Sequence, residues 1–195
     1  MKTEAKTLAK RAARADRRHA HRATEHEDGL ALRLAGKASD LADQPPLIAL
    51  SIATFGGGLV LRHGALARAG ARMLASHLLA TAAKTVLKNA IDRTRPARAV
   101  MEGYRLEKGD GADDPSLNSF PSGHTAGAVA VAEAIAAELP GAALPARLVA
   151  AGVGLVQPHR GKHYLSDVAA GAVIGWVSAW AVDTVWRAAA DKIKR

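Results

Sequence analysis

The stretch Ser119-Phe-Pro-Ser-Gly-His-Thr125 constrains the fold of this chain more than any other. A proline followed by Ser-Gly and then by an Ala-rich segment is typical of a helix start. The first N–H groups of a helix have no partner within it, and the helix dipole adds positive potential, so phosphate can bind there. Gly123 would let the backbone approach such an anion closely, Ser122 would add a hydroxyl donor, and His124 would add a titratable acid. The alternative is an ordinary capped helix with a surface histidine.

Two clusters of polar residues flank this stretch. Lys88 and Arg95 are seven residues apart, which on one helix is two turns, and Pro96 predicts that this helix ends at Arg95. Downstream, His163 and Asp167 are four residues apart, so the carboxylate can hold the imidazole proton on one nitrogen and leave the other free to attack. Two cations, an anion-binding helix start, an acid histidine and an oriented histidine together suit phosphoryl transfer through a phosphohistidine.

The order Lys-x6-Arg-Pro, Pro-Ser-Gly-His and His-x3-Asp resembles the type-2 phosphatidic acid phosphatase superfamily, which also includes bacterial acid phosphatases and vanadium haloperoxidases. The resemblance covers residues 88–167. It implies that His163 is the nucleophile, that Asp167 orients it, and that His124 is the general acid. It also implies that the phosphate is held without a metal or another cofactor, by Lys88, Arg95, Ser122 and Gly123.

The third motif departs from the family pattern at one position. The family carries an arginine six residues before the nucleophilic histidine, where this sequence has Gln157. A neutral hydrogen bond contributes about 1 kcal/mol and a charge-assisted one about 1.5–3, so the exchange predicts roughly tenfold weaker transition-state binding. Gln157 would still donate a neutral hydrogen bond, and Arg160 or His159 in the same loop would substitute for the missing cation. A lipid-phosphate-binding protein that has lost efficient catalysis is therefore a second interpretation.

The net charge of +9, with a pI of about 10.3, indicates an anionic partner. Nucleic acid is not the expected partner, because the chain has no recognisable binding motif and only 4% aromatic residues for stacking. Pro45-Pro46 separates a basic N-terminal extension, residues 1–44, from a helical domain, residues 45–195. The extension is either a solvated tail or an interfacial helix on anionic lipid. A short amphipathic helix within it is predicted by Leu30, Leu32, Leu34 and Leu41.

Five apolar or Ala-rich segments predict the core helices. They span about 47–61, 65–91, 122–139, 145–156 and 166–190. No strand pattern is evident, residues 97–118 look like a loop, and Gly56-Gly57-Gly58 predicts a break in the first core helix. The predicted fold is therefore all-α: a small bundle of about five core helices with a basic N-terminal helical extension.

This bundle is predicted to span a membrane, although no segment reaches 18 uncharged apolar residues. Helices that are apolar nearly all round indicate burial on all sides. Gly171 and Gly175 have the small-xxx-small spacing that suits helix packing in lipid, and His77 and Glu133 would face the bundle or the site. A soluble Ala-rich bundle is the alternative.

The expected protein is a metal-independent phosphatase in the cell (inner) membrane, crossing it several times. By resemblance, its substrate is a phosphorylated lipid such as phosphatidate, phosphatidylglycerol phosphate or a polyprenyl diphosphate; a soluble acid phosphatase is a further alternative. The positive-inside rule places residues 1–44 in the cytoplasm and, with five spans, the three motifs on the same side. The resemblance implies the extracytoplasmic face, so sidedness is left open, as is the oligomeric state.

Overall fold

A computed structural model of the chain describes Asp16 and residues 29–111 and 114–193. Seven α-helices lie in this described part, and five of them form the bundle predicted from the sequence, so the all-α fold class is confirmed. The helices are α1 (Leu30–Ser39), α2 (Gln44–Val60), α3 (Gly64–Ala90), α4 (Pro96–Glu102), α5 (Gly123–Glu138), α6 (Ala143–His159) and α7 (Leu165–Ile193).

The predicted helix starts are explained by local chemistry. Proline occupies the first turn of α2 and of α4, where its missing N–H has no helical partner to lose. Ser122 caps α5, and its hydroxyl accepts from the N–H of Thr125. The predicted amphipathic helix is α1, which stops at Ser39, and Leu41 lies in the 3-10 turn Asp40–Ala42.

The Ala-rich helix α5 forms the centre of the bundle and packs against α3, α6 and α7. Its small side chains are buried along most of its length. The two glycines of the small-xxx-small pattern let α7 approach closely: a Cβ at Gly171 would lie 2.5 Å from Ser122 O, and one at Gly175 would lie 2.4 Å from Ala126 O. This contact joins the start of α7 to the start of α5, which brings the second and third motifs together.

Two expectations about the chain before α5 are wrong. Helix α2 runs unbroken through Gly56-Gly57-Gly58, because Gly58 is needed for close packing rather than for a turn: a Cβ there would lie 2.2 Å from Ala67 N. Helix α3 ends at Ala90, so Lys88 and Arg95 do not share one helix face.

Between these two residues, the chain forms a strand. Strand β1 (Ile91–Arg93) pairs antiparallel with β2 (Leu106–Lys108), with Arg93 opposite Leu106. The region predicted as a plain loop therefore contains β2 and most of α4.

Ion pairs stabilise the end of the bundle that lies away from the three motifs. Arg72 of α3, which is only 5% exposed, binds Glu138 at 2.6 Å and also contacts Asp183 of α7. Arg72 and Lys88 lie sixteen residues apart on α3, which corresponds to about 24 Å along the helix axis. The prediction that His77 and Glu133 face the bundle or the site is confirmed for His77, which is buried. Glu133 is partly exposed and forms a bidentate pair with Arg147.

Many large apolar side chains between these two ends are exposed. They include Leu50, Ile52 and Phe55 on α2, Leu148 and Val149 on α6, and Val173, Trp176 and Trp180 on α7. Of the helices in the described residues, the segment Leu165–Lys192 is long and apolar enough to cross a membrane, and only 22% of its apolar window is buried. Helix α2 (Gln44–Val60) is apolar but shorter.

Candidate active site

His163 lies in the loop between α6 and α7, and its side chain is only 4% exposed. Its Nδ1 lies 2.7 Å from the carbonyl oxygen of Ser119. Since a carbonyl only accepts hydrogen bonds, Nδ1 must carry the proton, and Nε2 keeps its lone pair. This is the tautomer that a nucleophilic histidine requires.

Asp167 supports this arrangement in a different way from the one predicted. Its Oδ2 lies 3.9 Å from His163 Nδ1, beyond hydrogen-bond distance, so Ser119 O rather than Asp167 holds the imidazole proton. The fully buried carboxylate instead accepts from Ser119 Oγ at 2.6 Å, from Tyr164 N at 2.8 Å and from Arg93 Nη1. Asp167 therefore orients His163 indirectly, by fixing the residue that bonds to it and the residue that follows it.

His124 is the second residue of α5, and its side chain is 14% exposed. Its Nε2 lies 2.9 Å from Asp43 Oδ1 and 3.6 Å from Asp40 Oδ1. These carboxylates favour the protonated imidazole that a general acid needs, whereas the burial of the ring disfavours it more strongly. Both aspartates come from the turn between α1 and α2, so this turn covers the side of the site that carries His124.

Lys88 and Arg95 supply positive charge near His163. Lys88 Nζ donates to Asn118 O at 2.6 Å, and the buried Nε of Arg95 has no hydrogen-bond partner among the described residues. Burial, followed by the charges of Lys88 and Arg95, lowers the pKa of His163 well below its usual value. His163 is therefore neutral at neutral pH, and the two cations lie close enough to act on it.

The start of α5 differs in detail from the predicted phosphate cradle. The Ser122 hydroxyl is completely buried and is paired with Thr125 Oγ1 at 2.9 Å, so it serves the helix cap in this structure. Gly123 is approached by a cation that was not predicted as a site residue: a Cβ at this position would lie 3.0 Å from Lys84 Nζ. Lys84 and Lys88 lie one turn apart on α3, so they share a face of that helix.

The residue that replaces the expected arginine is bonded to groups of α1 and α6. Gln157 is completely buried and donates to Ser39 Oγ at 3.3 Å and to Val153 O at 3.0 Å. Arg160 donates to the same Ser39 hydroxyl at 2.8 Å and to Asp40 Oδ1 at 2.7 Å. Both N–H groups of the Gln157 amide are therefore engaged, and Arg160 is bound to Asp40.

The third candidate for this role, His159, is exposed on the last turn of α6. Its Nδ1 lies 2.9 Å from Leu155 O, so this nitrogen is engaged within its own helix.

A basic cleft of about 380 Å³ lies beside the turn that carries Asp40. Its lining includes Arg33 and Lys37 from α1 and Arg160 and Lys162 from the loop before His163. Asp40, Asp43 and His124 place one ligand atom each within 4.8 Å of one another, as a metal site would. Arg160 and Lys162 lie 2.7 and 3.7 Å from Asp40, however, so cations of the protein already balance this carboxylate.

Several residues of the site carry no recognisable sequence signal. The aspartates Asp40 and Asp43 precede the first motif by more than 40 residues, and Ser119 acts partly through its backbone carbonyl, which has no signature in a sequence. Arg93 lies two residues before Arg95, and the sequence indicates only that it is an additional cation within the first motif.

The fold and the site together define a class of protein. It is a helical bundle in which a buried histidine lies beside two cations and a helix start. The chain belongs to the PAP2 superfamily, whose family model matches residues 69–191. This confirms the resemblance drawn from the three motifs. None of the curated proteins compared with the chain matches it.

Two solved structures share the fold. One is the crystal structure of the first transmembrane PAP2 type phosphatidylglycerolphosphate phosphatase from Bacillus subtilis, with 22% identity and a TM-score of 0.68, covering 90% of this chain and 86% of the other. The second is Aquifex aeolicus LpxE, with 20% identity and a TM-score of 0.62, covering 85% of this chain and 92% of the other.

Proposed function

We propose that this protein is a membrane phosphatase that hydrolyses the phosphate of a phosphorylated lipid through a phosphohistidine on His163. The observation that carries the proposal is the 2.7 Å contact between His163 Nδ1 and Ser119 O, because it leaves Nε2 unprotonated. The charges of Lys88 and Arg95, which act on His163, support a phosphate at this position.

The proposed reaction has two steps and uses no metal ion. In the first, His163 Nε2 forms a bond to phosphorus, the bond from phosphorus to the leaving oxygen breaks, and His124 Nε2 gives its proton to that oxygen. In the second, His124 takes a proton from water as the water oxygen attacks phosphorus, and the nitrogen–phosphorus bond breaks to release inorganic phosphate. Asp43 is suited to stabilising the protonated His124 at the beginning and the end of the cycle, because it lies 2.9 Å away.

We also propose that the protein crosses the membrane several times. The exposed apolar side chains of α2, α6 and α7 support this placement, because a continuous apolar surface of this kind is unfavourable in water. The distance of about 24 Å between Arg72 and Lys88 is close to the thickness of the hydrocarbon core of a bilayer, which is about 30 Å. A soluble acid phosphatase would leave the membrane pellet on washing with carbonate, whereas the proposed protein would stay in it.

The substrate proposal is a lipid with an anionic phosphate headgroup. The basic cleft next to the site supports it, since Arg33, Lys37 and Lys162 could contact a headgroup at the membrane surface. One of the two structural neighbours is a phosphatidylglycerolphosphate phosphatase, which supports keeping that lipid among the candidates.

The test measures phosphate release by the protein purified in detergent, with a chelator present. The panel contains phosphatidic acid, phosphatidylglycerol phosphate and undecaprenyl diphosphate, and His163→Ala provides the blank. Release that is lost in His163→Ala supports the proposal and identifies the preferred headgroup. Equal release by both proteins would refute His163 as the nucleophile.

A lipid-phosphate-binding protein is the second candidate, and the burial of Gln157 favours it. The amide of Gln157 is bonded to Ser39 and Val153, so the site lacks the cation that the family places here. No release from any lipid, together with retained binding of phosphatidic acid vesicles, would support this candidate. Gln157→Arg is then the next variant, and it should raise activity if only the missing charge limits the reaction.

A further inference from the structure

Arg93 is a buried guanidinium held between two buried carboxylates. Its Nη2 donates to Asp16 Oδ2 at 2.8 Å, and its Nη1 donates to Asp167 Oδ1. The side chains of Asp16 and Arg93 are each 5% exposed, and that of Asp167 is completely buried. At this depth an uncompensated charge is strongly unfavourable, so each of the two carboxylates depends on the arginine.

Asp16 also binds the first turn of α7. One of its oxygens accepts from Ser166 N at 3.3 Å and the other accepts from Ser166 Oγ. The same hydroxyl accepts from Arg93 Nη1 at 2.7 Å. Asp16 therefore contacts both Arg93 and the residue that directly precedes Asp167.

Two aromatic rings restrict the position of the Arg93 guanidinium further. Its central carbon lies 4.0 Å from the centroid of the Tyr164 ring and 5.5 Å from that of the Tyr104 ring. The two rings pack edge to face, with their centroids 5.8 Å apart. The contacts of Nη1 and Nη2 and the two rings hold the guanidinium in one position, although its buried Nε has no hydrogen-bond partner among the described residues.

We propose that Asp16, from the basic N-terminal extension, is a positioning residue for the nucleophile. Asp16 fixes Arg93, and Arg93 fixes the carboxylate of Asp167. Asp167 in turn holds Ser119 through a 2.6 Å hydrogen bond, and the carbonyl of Ser119 holds His163 Nδ1. The extension thus contributes a part of the catalytic support, in addition to any contact of its basic residues with lipid.

The charges of this chain of contacts fit the same role. Asp16, Arg93 and Asp167 together carry one net negative charge beneath the nucleophile. His163 gains positive charge when its Nε2 is phosphorylated while Nδ1 keeps its proton. If Asp16 were removed, the remaining pair of Arg93 and Asp167 would be neutral, and this stabilisation would be lost.

The test compares Asp16→Asn with Glu25→Gln, which removes the same charge from the same extension, in the full-length protein purified in detergent. This inference rests on the proposed function for its kinetic readout. We expect kcat to fall about tenfold or more in Asp16→Asn, with KM within about twofold of wild type, because the Asp16 side chain is buried against Arg93. Glu25→Gln should keep the kcat of the wild-type protein.

A second comparison separates positioning from general destabilisation. In an Asp167→Asn background, Asp16→Asn should cause no further loss of kcat, because Asp16 acts on His163 only by way of Arg93 and the Asp167 carboxylate. Independent, multiplicative losses would overturn the inference, as would a folded Asp16→Asn protein with wild-type kcat. If Asp16→Asn does not fold, Ser166→Ala removes one contact of Asp16 and keeps its charge, and an unchanged kcat in that variant would also overturn the inference.

An inactive wild-type protein would refute the proposed function but would still leave the contact testable. Thermal unfolding of Asp16→Asn, Arg93→Gln and the double variant gives the coupling between the two residues. Strong coupling would support the contact on which the positioning role depends, and strictly additive changes in Tm would overturn the inference.

Discussion

Replacing Asp167 with Asn tests the support of His163 with almost no change in side-chain volume. One oxygen of Asp167 accepts from Arg93, and the other accepts from Ser119 Oγ and Tyr164 N. An asparagine has one accepting oxygen and one donating amide, so in either orientation its NH2 group faces a donor of the protein.

The size of the effect follows from these contacts. A charge-assisted hydrogen bond contributes about 1.5–3 kcal/mol, and a buried donor left without an acceptor costs about 1–3 kcal/mol. If about 3 kcal/mol of this support is lost from the transition state, kcat falls about 150-fold. The expected signature is a reduced kcat with little change in KM, because Asp167 is completely buried and its oxygens are bonded to groups of the protein.

The assay measures kcat and KM for phosphate release from the preferred lipid in detergent, with circular dichroism as the check on folding. Asp191→Asn is the matched control, because it removes the same charge from an exposed position on the same helix. A folded Asp167→Asn protein whose kcat stays within about threefold of wild type would refute the indirect support of His163.

Three further predictions concern the pH profile, the ion pairs and the helix contacts. Positive charge disfavours a protonated imidazole, so Arg95→Met should raise the pKa of His163. The acidic limb of the pH profile of kcat/KM should then move to higher pH, whereas in the wild-type protein this limb should lie below the usual pKa of histidine. Arg72→Met should destabilise the fold by about 1.5–3 kcal/mol, because it removes a buried charge-assisted contact with Glu138, and should leave kcat unchanged. Gly171→Ala should reduce both Tm and kcat, because its Cβ would lie 2.5 Å from Ser122 O.

Each of these predictions has a control and a contradicting result. If the acidic limb of the kcat/KM profile stays in place or moves to lower pH in Arg95→Met, the charge of Arg95 does not act on His163. Arg68→Gln, at a side chain that is 51% exposed, should change stability by about 1 kcal/mol at most, and an equal loss in both arginine variants would contradict the burial argument. Gly152→Ala is the control for Gly171, since a Cβ there meets nothing within 4 Å; its Tm should stay equal or rise.

The three motifs and the five core helices were readable from the sequence, for a common physical reason. The repeating apolar pattern of a helix, the proline and serine at its start and the His163–Asp167 spacing all involve residues only a few positions apart. Interactions at this range depend on local backbone geometry, which the sequence encodes directly. The prediction that Lys88 and Arg95 share a helix face was wrong because residues 91–93 pair with residues 106–108 as a strand, so α3 ends before Arg95.

The partners of the motif residues were decided only by the packing of the helices. Arg93 meets Asp16 across 77 positions of the sequence, and Gln157 meets Ser39 across 118. The neighbouring sequence does not distinguish these four residues from charged and polar residues that lie on a surface. The group that holds His163 is the backbone carbonyl of Ser119, and every residue has such a carbonyl. The residues proposed to carry the reaction thus lie in short motifs, whereas the groups that hold His163 were brought together by the close approach of α7 to α5 at Gly171 and Gly175.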